Sequence, residues 1–293
     1  MKAGLADLAQ RISQLDESRR NLLAWAEARD YCDDRYGAAR LDYPPGSADV
    51  PGYLCEDIAY FVTVMEQVTD TGLMRDPQRM PLVSPGEADD LMANCRLLGR
   101  LADSVPEVTR GPLRRDAQYW VGTGGPGHLP SKVRELQRAR FIDVAHAHQA
   151  GASTKPFGLG LFTSTGVAGT FGMWRVYLDL NRGSSLFPLP WQTWVVTPRE
   201  DVAVAEITSA AEWVEFIASH PARAGEFLYP DWRQVADEYD GVHMSLRAIA
   251  AVQGLYFPVG NAIVVPSYWD VESTFWLRWC FTQETLVETA RAD

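Results

Sequence analysis

The run 156-PFGLGLFTST-165 interrupts an apolar segment with two glycines and closes it on three hydroxyls. Glycine inside a strand gives up packing and backbone entropy, so Gly158 and Gly160 predict a place where another backbone or a ligand comes close. The flanking aromatic and hydroxyl residues predict a strand with a polar end.

The same texture of short apolar runs divided by Gly and Pro extends in both directions from about Arg110 onward. The strands it predicts are 118-QYWVG-122, 159-LGLFTS-164, 174-WRVYLDL-180, 193-TWVVT-197, 202-VAVAEI-207, 262-AIVVP-266 and 273-STFWLRWCF-281. Helical spacing falls on 131–148, 210–220, 231–239 and 245–253. Strands outnumber the helices between them, which favours an α+β domain over a doubly wound sheet. Upstream, Leu5, Leu8, Ile12, Leu15, Leu22 and Leu23 recur at helical spacing, and a second helix is expected from about Gly52 to Val68. At 84-SPGE-87 a Ser cap, an early Pro and a Glu three residues on predict a third helix, running through Leu101. The expected organisation is a helical region over 1–110 followed by an α+β domain over 111–293.

The chain has 293 residues, enough to build a sizeable core with 46% hydrophobic residues, and a formal net charge of -11. That charge disfavours non-specific attraction to nucleic acid or anionic lipid. Its four cysteines, Cys32, Cys55, Cys95 and Cys280, form no CxxC pair and read as reduced thiols of a cytoplasmic protein. The N-terminal segment lacks the apolar core of a secretory signal, and no run approaches a membrane span. The glycine-rich 122-GTGGPG-127 lacks both the dinucleotide and the Walker A spacing.

Three pieces in order, 119-YWVGT-123, 157-FGLGLFTST-165 and 269-WDVEST-274, resemble the ADP-ribosyltransferase superfamily, including its poly-ADP-ribose polymerase branch. The resemblance spans roughly 115–282. It implies a split, mixed β-sheet and consumption of NAD: ADP-ribose passes to an acceptor of unidentified class and nicotinamide is released. On this resemblance Gly122 and Thr123 grip nicotinamide through the backbone, Gly158 and Gly160 let a strand pass close beneath the ring, and Phe162 offers a stacking face. Ser164 and Thr165 supply hydroxyls at the wall. Glu272 stabilises the sugar cation as its bond to nicotinamide stretches, and Asp270, two residues earlier, shares its strand face and positions the acceptor. Val121 departs from the pattern, since that family places His or Arg there. His243 is either a core histidine or the group that meets a ribose in its place.

Other readings stay open on the residues themselves. Water as acceptor would make the protein an NAD glycohydrolase, and loss of the polar group at Val121 fits a non-catalytic binding protein that keeps the fold. Asp143, His146 and His148 are spaced badly for a metal on one helix. A metal-dependent hydrolase would need them or His243. The basic stretch Arg110 to Arg140 is either a solvated face or a site for a dinucleotide pyrophosphate or a phosphorylated acceptor. The proline-containing 183-GSSLFPLPWQTW-194 reads as a rigid loop over a pocket or across a domain seam.

Overall fold

A computed structural model of the chain describes residues 82–124, 136–147, 152–156, 158–167 and 170–291. The two helices expected before Leu82, together with Cys32, Cys55 and His148, lie outside the described residues.

The described chain opens with helices α1 (Pro85–Ala93), α2 (Arg96–Ser104) and α3 (Pro106–Thr109). The capping box at Ser84 forms: its Oγ accepts the Glu87 N–H at 3.3 Å, and its own N–H donates to Glu87 Oε2 at 3.1 Å. The helix does not run on to Leu101. It stops at Asn94, whose side-chain amide donates to the Asp90 carbonyl at 2.7 Å and so competes with continued helix. Val83, Ala88, Met92 and Leu101 bury in the same core as the sheet.

Seven strands form the main sheet in the order β11-β3-β1-β2-β10-β7-β4. Their ranges are β1 (Gln118–Gly122), β2 (Leu161–Thr165), β3 (Trp191–Pro198), β4 (Val204–Ile207), β7 (Gly241–Met244), β10 (Ser273–Trp276) and β11 (Phe281–Ala290). Pairing is antiparallel except between β4 and β7, so the sheet is mixed. A second sheet, β5-β6-β9-β8, joins Pro221–Ala224, Phe227–Pro230, Ala262–Val264 and Phe257–Val259. The α+β expectation is thus met over the described residues.

Four further helices contribute to the same core: α4 (Met173–Leu180), α5 (Ala210–Ser219), α6 (Trp232–Glu238) and α7 (Leu246–Val252). The last three start where the sequence places caps, with Ser209, Asp231 and Ser245 each accepting a first-turn N–H. Asp89 of α1 also accepts the Ala210 N–H at 2.7 Å and the Ala211 N–H at 3.1 Å, tying the start of α5 to α1. Asp89→Ala is therefore expected to lower stability by about 1–2 kcal/mol, the usual cost of losing a cap, measured as a shift in the urea midpoint.

Several expected elements take another form. Residues 174–180 are helical: β-favouring Trp, Val and Tyr mislead, while the Arg175–Asp179 ion pair at i,i+4 spacing and Met173 and Val176 buried on one side belong to a helix. The 131–148 helix is replaced, where described, by short 3-10 turns at Arg138–Arg140 and Val144–His146. Gly158 and Gly160 precede β2 rather than lying in it, with φ of 83° and 57°. Residues 269–272 precede β10, and Tyr268 and Asp270 take the left-handed conformation with φ of 55° and 61°.

Register fixes what each sheet face carries. Thr163 pairs with Thr274, which pairs with His243, while Phe162 pairs with Phe275, which pairs with Val242. Successive side chains alternate, so one face is polar here and the other aromatic.

Candidate functional site

β1 and β2 pair only at Gln118↔Thr165 and Tyr119↔Ser164. Past that point a cavity of about 650 Å³ is bordered by Trp120, Val121 and Gly122 from β1 and by Leu161, Phe162 and Thr163 from β2. The sheet is therefore split at the wedge, and the cavity reaches residues belonging to both of its faces. Further walls come from Trp174 and Tyr177 of α4, from Phe187, and from Gln137, Arg140 and Phe141. The loop before β10 contributes Asp270 and Val271, with Ser273 at the strand's start.

Of the residues singled out from the sequence, Gly122, Thr123, Gly158, Gly160, Phe162, Ser164 and Asp270 border this cavity. Thr165, His243 and Glu272 do not: they meet on the polar face of the sheet. Glu272 is fully buried, and its carboxylate accepts the Thr165 N–H at 2.9 Å and the Thr165 hydroxyl at 2.8 Å, with His243 Nε2 at 3.0 Å. Asp270 and Glu272 thus do not share a face, because the left-handed turn at Asp270 breaks the alternation expected of an extended strand. Arg278, six residues on, pairs with Asp240 at 3.3 Å.

A hydrogen-bonded chain continues from this carboxylate. Gln118 Nε2 donates to Thr165 Oγ1 at 2.9 Å, Thr163 Oγ1 donates to Gln118 Oε1 at 2.6 Å, and Trp276 Nε1 donates to Thr163 Oγ1 at 2.8 Å. All these side chains are buried, so each bond replaces water that is absent and fixes β1, β2, β10 and β7 against one another. Ser164, on the opposite face, adds a bond from its hydroxyl to the Glu272 carbonyl at 2.8 Å and accepts the Trp174 N–H at 3.2 Å. Its hydroxyl thereby clamps the site instead of standing free at a pocket edge.

The two glycines divide the work that the sequence assigns them jointly. A Cβ on Gly160 would lie 2.4 Å from the Trp276 carbonyl oxygen and 2.4 Å from the Phe275 ring, so the close approach is to β10. Nothing lies within 4 Å of a Cβ on Gly158, which serves the positive φ of the turn. Phe162 is stacked on Phe275 with centroids 4.4 Å apart and meets Trp269 edge-on at 5.6 Å, so much of its surface is already used in packing.

The charged groups bordering the cavity are Asp270, Lys155 and the exposed Arg140. Gln253, itself fully buried, donates to Asp270 Oδ1 at 2.8 Å and holds that carboxylate in place. Lys155 Nζ donates to the Trp269 carbonyl at 3.3 Å and lies 5.5 Å from the Phe162 ring centroid. Burial lowers the Lys155 pKa below the ordinary lysine value, and the charge of Asp270 offsets part of that. Two left-handed non-glycine residues, Tyr268 and Asp270, flank Trp269, a strained arrangement of the kind that surrounding structure must enforce.

Elsewhere in the basic stretch, Arg114 pairs with Asp116 and Glu107, and Arg115 donates to the Glu200 carbonyl. Lys132 and Arg134 lie outside the described residues. Asp143 accepts the Ala145 N–H and lies 3.7 Å from the exposed His146; among the described residues no group of three His, Cys, Asp or Glu is arranged to hold a metal ion. Sequence reasoning missed Lys155, Gln253 and the α4 wall. For Lys155 the signal was its place directly before 156-PFGLG-160.

No family model, curated protein or solved structure matches this chain. No helix among the described residues is long and apolar enough to cross a membrane.

Proposed function

We propose that the wedge between β1 and β2 takes a nicotinamide dinucleotide, and that the protein transfers ADP-ribose from NAD to an acceptor with loss of nicotinamide. The observation that carries this reading is that residues of the three separated segments behind the resemblance, 122–123, 158–164 and Asp270, Val271 and Ser273, border one cavity. Its volume of about 650 Å³ lies inside the roughly 300–1,000 Å³ range of small-molecule sites. Strand backbone entering a cavity offers N–H donors and C=O acceptors together, the pair that a carboxamide requires.

In this reading the carboxylate that meets the sugar is Asp270. As the bond from ribose C1′ to the nicotinamide nitrogen stretches, positive charge builds on the sugar, and a fixed anion nearby lowers that barrier. Nicotinamide leaves with the bonding pair, the acceptor's nucleophilic atom bonds to C1′, and the acceptor's proton passes to Asp270 or to solvent. Glu272 supports this from behind by holding the loop that carries Asp270. Water as acceptor gives NAD hydrolysis by the same steps. The expected result for Asp270→Asn is a fall of about 100-fold in nicotinamide release, the usual scale for removing one electrostatic stabiliser. Chromatographic assay of nicotinamide checks it, and release unchanged in the variant contradicts the role given to Asp270.

One observation favours a second reading, a binding protein without turnover: the Glu272 carboxylate is fully engaged away from the cavity, and apolar Val121 stands on β1. Saturable NAD binding with no nicotinamide released by the unmodified chain would support it.

A further inference from the structure

Lys155 is the one lysine among the described residues, and it reaches the cavity from the segment leading into the Gly158 turn. Its ammonium is placed by the Trp269 carbonyl on one side and the Phe162 ring on another, with the Asp270 carboxylate bordering the same space. Aromatic walls from Trp120, Phe141, Trp174, Tyr177 and Trp279 suit a flat organic molecule, and Arg140 adds a cation that suits an anionic substituent.

We propose that Lys155 is a carbonyl-reactive amine and that this cavity forms an imine with a small, flat, anionic aldehyde or ketone. The imine occupies the same cavity as the proposed dinucleotide and uses the same Asp270, but its formation requires no NAD. Amine nucleophiles of this kind are activated by removal from water, and the burial that lowers the Lys155 pKa acts in that direction. Asp270 takes a proton from the ammonium. The free amine then adds to the carbonyl carbon, forming the C–N bond while the C=O π bond opens onto oxygen. Proton transfer within the carbinolamine and return of the Asp270 proton to its hydroxyl let that oxygen leave as water, giving the imine. No oxidant or reductant enters these steps, and hydrolysis reverses them.

The sequence makes the test clean, because the chain contains only Lys2, Lys132 and Lys155. The full chain is incubated with pyridoxal 5′-phosphate, a flat aromatic aldehyde bearing a phosphate, then reduced with borohydride, and each lysine's labelling is followed by peptide mass spectrometry. Lys155 is expected to label several-fold faster than Lys2 or Lys132, because removal from water favours its free amine. The rate should saturate with aldehyde concentration, and the preference should vanish in urea. Labelling of Lys155 no faster than its companions in the folded chain, or a rate that rises linearly without saturation, overturns the inference.

Discussion

Replacing Glu272 with alanine is expected to destabilise the fold by on the order of 4 kcal/mol. The carboxylate accepts from the Thr165 N–H, the Thr165 hydroxyl and His243, all in a space that water does not reach. A buried donor left without an acceptor costs about 1–3 kcal/mol, and this substitution strands a set of them together. His243 suffers most: its Nε2 loses Glu272, while its Nδ1 has no hydrogen bond and lies 4.0 Å from Glu206. Glu272→Gln keeps the shape and one acceptor but turns an NH₂ toward groups that donate, so its cost should be smaller, about 2 kcal/mol. Urea unfolding of the variants measures both. A loss under about 1 kcal/mol for Glu272→Ala would mean that the carboxylate is not the junction of β2, β10 and β7 described above.

The second large effect falls on Gly160. Alanine there is expected to cost on the order of 3 kcal/mol, against about 1 kcal/mol for Gly158→Ala. Both residues have positive φ, so both variants bear the left-handed penalty. Only Gly160 adds a steric conflict, with the backbone oxygen of Trp276 and the Phe275 ring each 2.4 Å from the new methyl. The Trp276 oxygen belongs to a strand paired to β2 through Leu161, so relief requires opening that pairing. The contrast between the two variants, read from their urea midpoints, isolates the close approach from the turn. Equal costs would refute it.

These two residues also show what the sequence makes legible and what it hides. Of the two glycines in the apolar run, Gly160 marks a close approach and Gly158 only a turn, and nothing in the run says which is which or whether the neighbour is a ligand or β10. Capped helices read well, because Ser84, Ser209, Asp231 and Ser245 act on their own first turns and need no distant partner. Strands β1, β3 and β4 read well from their β-branched and aromatic content. Residues 174–180 carry the same content, and packing on the sheet decides in favour of a helix. The direction of Glu272 was hidden for a different reason: strict alternation assumes an extended backbone, and the left-handed Asp270 breaks it two residues earlier. The cavity itself depends on where β1 and β2 stop pairing, a property of register between distant segments that neither segment specifies alone.

The central claim, that this wedge receives a nicotinamide dinucleotide, is tested most directly by titrating the full chain with NAD while following intrinsic tryptophan fluorescence. Trp120, Trp174 and Trp279 border the cavity, so occupancy should perturb their emission. The expected result is a single saturable change with a midpoint below about 1 mM, the upper end of ordinary substrate constants. Emission that stays flat, or drifts without saturating, across that range would contradict the account.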